Sequence, residues 1–389
     1  MAYFITDDGK DLLKDLHTFC ENEMRAQVYE AEKAGFKEDP AGEEMIQGIM
    51  DGLQEMGIGT LPIPEEAGGP GLCKLDRAAL MEEISKYDSG IADTFIANEL
   101  ALDSIEVAGS DEQKERCYEI LLNGGYGAFC LTEPNAGCDV SNASTTAVKD
   151  GDDYVINGSK CFITNGPIAD FYVVYAVTDK SVPAAKGGYT AFLIEKGTPG
   201  ISAGTVENKM GIRHSHTSDV VLEDCRVPAS AVLGEVGKGF QIAMKTLDIA
   251  RVWCGILAVG IAQRAIDESV SYLKQRVQFG KPLAKNEVLQ FKIADMEMKT
   301  ESARQMCAYA LNLMDRGEPY SLAAAEAKCL AGDAAMYCAL EAVQIHGGYG
   351  YSREYPVEKL VRDAKIYQIF EGTNEIQRLV IGRSVIGRI

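Results

Sequence analysis

Residues 127–164 read GAFCLTEPNAGCDVSNASTTAVKDGDDYVINGSKCFIT, and the periodicity of this stretch decides the fold class. Apolar and β-branched residues fall here on alternate positions or in short runs. The pairs Asp150-Gly151 and Asn157-Gly158 interrupt them. A period of two marks strands, and such dipeptides mark the turns between strands. The predicted strands are 128–132, 144–149 and 154–160. Downstream, 171–177, 190–195 and 219–223 follow, separated by Asn165-Gly166-Pro167 and Thr198-Pro199-Gly200. Their spacing predicts an antiparallel β-domain.

On either side the period is helical. Upstream, Leu12, Leu13, Leu16 and Phe19 recur at steps of three and four, as do Ile46, Ile49, Met50 and Leu53. Prolines and glycines make 61–73 (LPIPEEAGGPGLC) a loop, after which helical patterns run to Leu122. Beyond Gly237-Lys238-Gly239 the chain returns to long helices, and the Ala-rich 322–345 suits a close-packed bundle. The predicted fold is mainly α with a central β-domain. It comprises a helical domain over 1–122, a β-domain over 123–232 and a C-terminal helical bundle over 233–389.

Composition narrows the function classes. With 58 acidic against 38 basic residues the formal net charge is -20, and no basic run exceeds two residues. Nucleic acid and anionic membranes, which demand clustered Lys and Arg, are poor partners for such a surface. No apolar stretch is expected to approach the length of a membrane span. The start, Met1-Ala2-Tyr3-Phe4 before Asp7 and Asp8, lacks the basic and apolar segments of a secretory signal, so a cytoplasmic location is expected. Eleven cysteines, an odd number with no C-x-x-C pair, predict free thiols rather than disulfides or a metal cluster.

Several motifs fail on their context. Residues 234–239 (GEVGKG) lack the feeding strand and the Ser or Thr of a phosphate loop, and no G-x-G-x-x-G follows a strand. His214 and His216 have no acidic partner spaced to complete a metal site, so no metal is expected. No G-x-S-x-G elbow occurs. His346, before Gly347-Gly348, is expected to cap or pack. Two polar clusters remain. Residues 131–140 (LTEPNAGCDV) follow a strand, and such loops present backbone N–H groups to ligands. Residues 370–377 (FEGTNEIQ) set Glu371 where a loop enters the last helix; taken alone, it is an ordinary first-turn carboxylate.

Together with 160–166 (KCFITNG), 275–283 (QRVQFGKPL), 344–350 (QIHGGYG) and 362–365 (RDAK), these clusters resemble the acyl-CoA dehydrogenase family, in register over essentially the whole chain. The resemblance implies an enzyme in which Glu371 takes the α-proton of an acyl-CoA thioester while FAD takes the β-hydride. It implies that Phe129, Leu131, Thr132, Cys138, Phe162, Ile163 and Thr164 hold the flavin ring, with Thr164 near the hydride acceptor. Arg276, Phe279, Gln344, Gly347, Gly348, Thr373 and Glu375 would complete the FAD site, partly across a subunit interface. A homo-oligomer, commonly a tetramer, follows. Cys138, Asp248, Arg251, Trp253 and Gly372 are the implied substrate contacts. Ala250 stands where some relatives carry a second base, which leaves Glu371 as the candidate.

Three positions depart from the family pattern. Cys138 replaces a hydroxyl residue and donates more weakly. Glu287 replaces a Gln near the adenosine. Trp253, the single tryptophan, either narrows the acyl pocket, stacks on a ring-bearing acyl group, or packs in the bundle core. The expected activity is dehydrogenation with electrons passed to electron-transferring flavoprotein, or the same chemistry in reverse as an enoyl-CoA reductase. An oxidase is expected to be longer, and a nitroalkane oxidase to use Asp as its base. A flavin-free scaffold of the same fold is the non-enzyme alternative.

Overall fold

The computed structural model describes residues 5–34 and 40–387. Six helices come first: α1 (Asp7–Phe19), α2 (Arg25–Ala34), α3 (Pro40–Glu55), α4 (Lys74–Tyr87), α5 (Ser89–Ala108) and α6 (Asp111–Leu122). Side chains fix their starts. Asp88 caps α5 by accepting from the Ile91 N–H, and Ser110 and Gln113 form a reciprocal capping box on α6. The loop before α4 folds into short 3₁₀ turns. Gly69 is required there, because a Cβ would lie 2.0 Å from the Ile63 carbonyl oxygen.

Eight strands follow: β1 (Gly127–Cys130), β2 (Thr146–Asp150), β3 (Asp153–Thr164), β4 (Phe171–Val177), β5 (Tyr189–Glu195), β6 (Ile201–Ala203), β7 (Thr217–Pro228) and β8 (Val232–Leu233). They form one sheet in the order β6-β7-β3-β2-β4-β5-β8, with β1 on β4. The sheet is mixed rather than antiparallel. β1 runs parallel to β4, and Thr146 of β2 pairs parallel with Val177. Period-two alternation reports which face a side chain takes and says nothing of strand direction, so the prediction could not distinguish the two. The β3–β7 register slips between Lys160 and Ile163. This bulge puts Phe162 at φ 57° and leaves its ring 70% exposed. Bulges of this kind re-aim side chains beside functional sites.

The chain then enters α7 (Gly239–Gln275), a hairpin of β9 (Val277–Gln278) and β10 (Lys281–Pro282), and α8 (Glu287–Asp315), α9 (Ser321–His346), α10 (Val357–Ile366) and α11 (Asn374–Ile386). Contrary to the expectation from sequence, α7 is long and apolar enough to cross a membrane by length and composition, with a mean hydropathy of 1.4 over its best window. That window is 83% buried inside the fold, which makes α7 a core helix. It packs closely on α4: a Cβ on Gly260 would lie 2.7 Å from the Glu82 carbonyl oxygen.

One apolar core runs through α1–α5 and α7–α10, a second lies between α5, α6 and one sheet face, and a third covers the other face. Helix α5 therefore touches both the bundle and the sheet, and its polar residues Asp88, Asp93, Asn98 and Glu99 are buried. All eleven cysteines are free, and only Cys73 and Cys138 are exposed. Among the described residues no His, Cys, Asp or Glu cluster could hold a metal.

Candidate active site

Glu371 sits on a strained loop. It has φ 53° and Gly372 has φ 84°, left-handed conformations that glycine accepts and glutamate does not favour. The loop persists because its surroundings over-determine it. Lys328, buried in α9, donates to the Gly372 carbonyl at 2.7 Å and to Asn374 Oδ1 at 3.0 Å. Gln377 Nε2 donates to the carbonyls of Glu371 and Gly372 at 3.1 and 2.9 Å. Asn374 Nδ2 reaches back to the Cys329 carbonyl and Asp333 Oδ1. Thr373 caps α11 through the Ile376 N–H. Gly332 lets α9 approach the turn, since a Cβ there would lie 2.5 Å from the Tyr367 carbonyl.

The Glu371 residue is half-buried on this loop. Its Oε2 is buried and has no hydrogen-bond partner. Burial pushes its pKa up to about 7, the negative Asp93 adds to the rise, and Lys328 and Arg251 oppose it. A carboxyl poised near neutrality is suited to proton transfer at physiological pH. Arg251 is itself buried, pairs with Asp248, and has an Nε without a partner.

A second group of residues meets on the sheet. The Cys161 N–H donates to the Thr132 carbonyl at 2.9 Å, which ties the 131–140 loop to the bulge. A buried ion pair fastens the loop from below. Lys160 Nζ lies 2.6 Å from Glu133 Oε1 and 3.2 Å from the Leu131 carbonyl. Glu133 also accepts from the Ser144 N–H and hydroxyl and from the Thr145 N–H. Burial opposes ionisation of Glu133, yet Lys160 and these donors hold its pKa down to about 2. The Thr164 hydroxyl donates to Asp93 Oδ2 at 3.4 Å. Asp93 in turn acts on Glu371, so it joins the two groups.

The remaining candidates divide. Leu131 and Ile163 turn their side chains into the core, which leaves only their backbone for a ligand. Phe129 is half-buried against Tyr175, 5.1 Å between ring centroids. Cys138 is exposed on its loop. Trp253 is 2% exposed in the helical core, with the Arg77 guanidinium 4.8 Å from its ring. Gln344, Gly347 and Gly348 are exposed at the end of α9, and Thr373 and Glu375 open α11. Arg276 lies 5.4 Å from the Tyr349 ring, and Phe279 is 98% exposed at φ 51°. Along α7, at 1.5 Å per residue, Arg276 stands about 38 Å from Arg251. Asn286 caps α8 and Glu287 lies in its first turn. His346 Nδ1 donates to the Ala342 carbonyl and its ring stacks on Tyr272 at 4.2 Å.

Two residues central to this arrangement, Asp93 and Lys328, escaped the sequence analysis. Lys328 left a faint signal, being a lysine inside an otherwise Ala-rich apolar helix. Asp93 left none.

Comparison with known proteins decides the family. The acyl-CoA dehydrogenase N-terminal, middle and C-terminal domains match residues 6–125, 128–225 and 237–386. The chain belongs to the acyl-CoA dehydrogenase family. It is 45% identical to the short-chain-specific acyl-CoA dehydrogenase of Megasphaera elsdenii, over 99% of this chain and all of that one. The butyryl-CoA dehydrogenase structure from the same organism superposes with a TM-score of 0.92 at 44% identity, both chains being covered in full. A chain from structural work on the electron transferring flavoprotein of Acidaminococcus fermentans gives 0.93 at 43%, again with full coverage. The acryloyl-CoA reductase (NADH) of Anaerotignum propionicum is 45% identical over 86% of each chain.

Acyl-CoA dehydrogenases are oxidoreductases that bind FAD, and the residues present fit such a group. An exposed phenylalanine held at positive φ offers a flat face, and two threonines flank it. Asp93, which accepts from the Thr164 hydroxyl, adds to the rise in the pKa of Glu371.

Proposed function

We propose that the protein catalyses α,β-dehydrogenation of an acyl-CoA thioester, with Glu371 as the base at the α-carbon. The observation that carries this is the buried, unpartnered Glu371 Oε2 on a loop pinned by Lys328, Asn374 and Gln377. A thioester α-proton is weakly acidic. A base kept dry, with a pKa near 7, is stronger than a solvated carboxylate and is held ready without reorganisation. FAD, when bound, supplies the acceptor for the β-hydride. Thr132, Phe162 and Thr164 would hold its ring, and Asp248 and Arg251 would contact the CoA portion. Arg276 and Phe279 lie just past the end of α7, with Arg276 about 38 Å along it from Arg251, and Gln344, Gly347 and Gly348 lie at the end of α9. They are proposed to serve a neighbouring copy in a homotetramer.

The test is anaerobic titration of the FAD-loaded protein with saturated acyl-CoAs, short to branched and aromatic, followed by flavin absorbance. Bleaching by one class, lost in Glu371→Gln, is the expected result. A flavin that no acyl-CoA bleaches would overturn the dehydrogenase direction.

The reverse reaction uses the same residues. The 45% identity to an acryloyl-CoA reductase is the observation that favours it. Enoyl-CoA oxidation of the prereduced protein, faster than acyl-CoA reduction of the oxidised one, would establish that direction. An electron-transferring flavoprotein is the proposed redox partner, supported by the full-length likeness to the Acidaminococcus chain.

A further inference from the structure

Asn165 directly follows the bulged strand that carries Phe162 and Thr164, and no step of the proposed reaction uses it. It is fully buried at φ 64°, a left-handed conformation that asparagine tolerates better than most residues. The sequence marks it only as a turn residue, but its side-chain amide does more. Nδ2 lies 2.9 Å from the Thr94 carbonyl, 3.1 Å from the Gly127 carbonyl and 3.1 Å from Asn98 Oδ1. All three are acceptors, so the two N–H bonds of the amide are shared among three oxygens. Asn165 Oδ1 is buried without a hydrogen-bond partner, and turning the amide round would set it against those same oxygens. The orientation is therefore fixed. Asn98 Oδ1 also accepts from the Gly127 N–H at 2.9 Å. The backbone is pinned as well. The Asn165 N–H donates to the His216 carbonyl at 2.7 Å, and the Asn165 carbonyl accepts from the Ile168 and Ala169 N–H groups at 2.9 and 2.7 Å.

These bonds join three elements. Thr94 and Asn98 belong to α5, Gly127 opens β1, and Asn165 follows β3. β1 pairs with β4, so the sheet ladder does not tie β1 to β3. Two clamps do so instead. Asn165 holds the start of β1, and the Cys161 N–H holds the Thr132 carbonyl just beyond its end. Phe162 and Thr164 lie between the clamps on one segment, and Thr132 ends the other. We propose that Asn165 is a positioning residue for the flavin, whose amide fixes the β3 bulge against β1 and α5 and so sets the spacing of Thr132, Phe162 and Thr164. The inference rests on the placement of the flavin ring at those three residues, and it adds the group that holds them in register.

The experiment follows FAD release from the loaded protein on dilution, by flavin fluorescence, together with the visible circular dichroism of the bound flavin. Asn165→Gly accepts the same φ and removes the side chain, so it isolates the clamp. Its FAD Kd should rise about tenfold, the equivalent of one ordinary hydrogen bond, and the flavin dichroism should change shape. Leu311→Ala, in the helical core on α8, controls for lost stability alone and should leave both readouts as in the parent. Where Asn165→Gly does not fold, Asn98→Ala decides: it removes one of the three acceptors, and the Kd should rise about threefold. Readouts unmoved by the deciding variant, or moved equally by Leu311→Ala, overturn the proposal. Phe162→Ala separates the clamp from the ring placement. If Phe162→Ala changes both readouts and the asparagine variants change neither, the clamp alone falls. If Phe162→Ala changes neither, the ring placement falls and the clamp with it. Neither readout requires turnover, so the result is independent of the role of Glu371.

Discussion

Replacing Glu371 by Gln should make the protein more stable at pH 8 while abolishing most of its activity. In the folded state the carboxyl ionises at about 7 instead of its usual 4.5, chiefly because it is buried and secondarily because Asp93 is near. The unfolded chain ionises freely from 4.5 upward. Between those pH values the folded state therefore binds the extra proton, and stability falls as pH rises. A rise from 4.5 to about 7 corresponds to about 3 kcal/mol, fully expressed above pH 7 and absent below the unfolded value. Glutamine is neutral throughout and nearly isosteric. The two proteins should be equally stable near the lower limit, and the variant should lead by about 3 kcal/mol at pH 8. For a chain of this size that is roughly 4 °C in Tm. Paired thermal or urea unfolding at both pH values, with FAD saturating, measures the difference. All other titrating groups cancel between the pair. The same variant should lose at least about 100-fold in kcat, the scale of a general base. A variant that is no more stable than the parent at pH 8 would refute the claim that the Glu371 site is dry and strained against charge.

Lys328→Met should remove the two bonds to the Gly372 carbonyl and Asn374 Oδ1 and cost about 2–3 kcal/mol. Steady-state kinetics should show kcat falling at least tenfold, with KM and flavin content little changed. Lys160→Met strands the Glu133 carboxylate and should cost about 3–5 kcal/mol, with weaker flavin retention seen in the visible spectrum. Trp253→Ala should cost about 3–5 kcal/mol, because the ring is fully packed. If the ring also bounds the acyl pocket, chain-length preference shifts toward longer acyl groups; an unchanged profile confines it to the core. In the parent, kcat/KM should fall about tenfold per pH unit below about pH 7, as Glu371 takes up its proton.

The division into helices, strands and helices was legible because it rests on periodicity, a local property. The predicted strand at 171–177 matches β4, and five other predicted strands overlap β1, β2, β3, β5 and β7 with shifted ends. β6 and β8 span three and two residues, too short for any period to register. Strand direction was illegible for the reason given by β1: its partner β4 lies some forty residues away and pairs parallel. The burial of polar residues at α5 was illegible for a different reason. Asp88, Asp93, Asn98 and Glu99 look like a solvent face, but the sheet covers one side and the bundle the other. The expectation that no apolar stretch reaches span length missed α7, which is apolar enough on average over its best window, and that window is 83% buried in the fold.

The candidate base itself was legible as part of a motif, yet nothing in the motif determines its strength. That is set first by burial and then by residues about 280, 40 and 120 positions away, namely Asp93, Lys328 and Arg251, each contributed by a different helix. Motif and tuning answer to different physics. A motif fixes backbone geometry through neighbours in sequence, whereas a pKa responds to charge and burial through space. The same separation explains why the strained loop survives. The positive φ of Glu371 is a local cost, offset by Lys328 and Gln377, which bind the backbone carbonyls and leave the carboxylate Oε2 alone. Had either side chain reached the carboxylate instead, the loop would be equally well held, but the base would be ionised at low pH and weak. Holding the loop by its backbone leaves burial to set the proton affinity of the side chain.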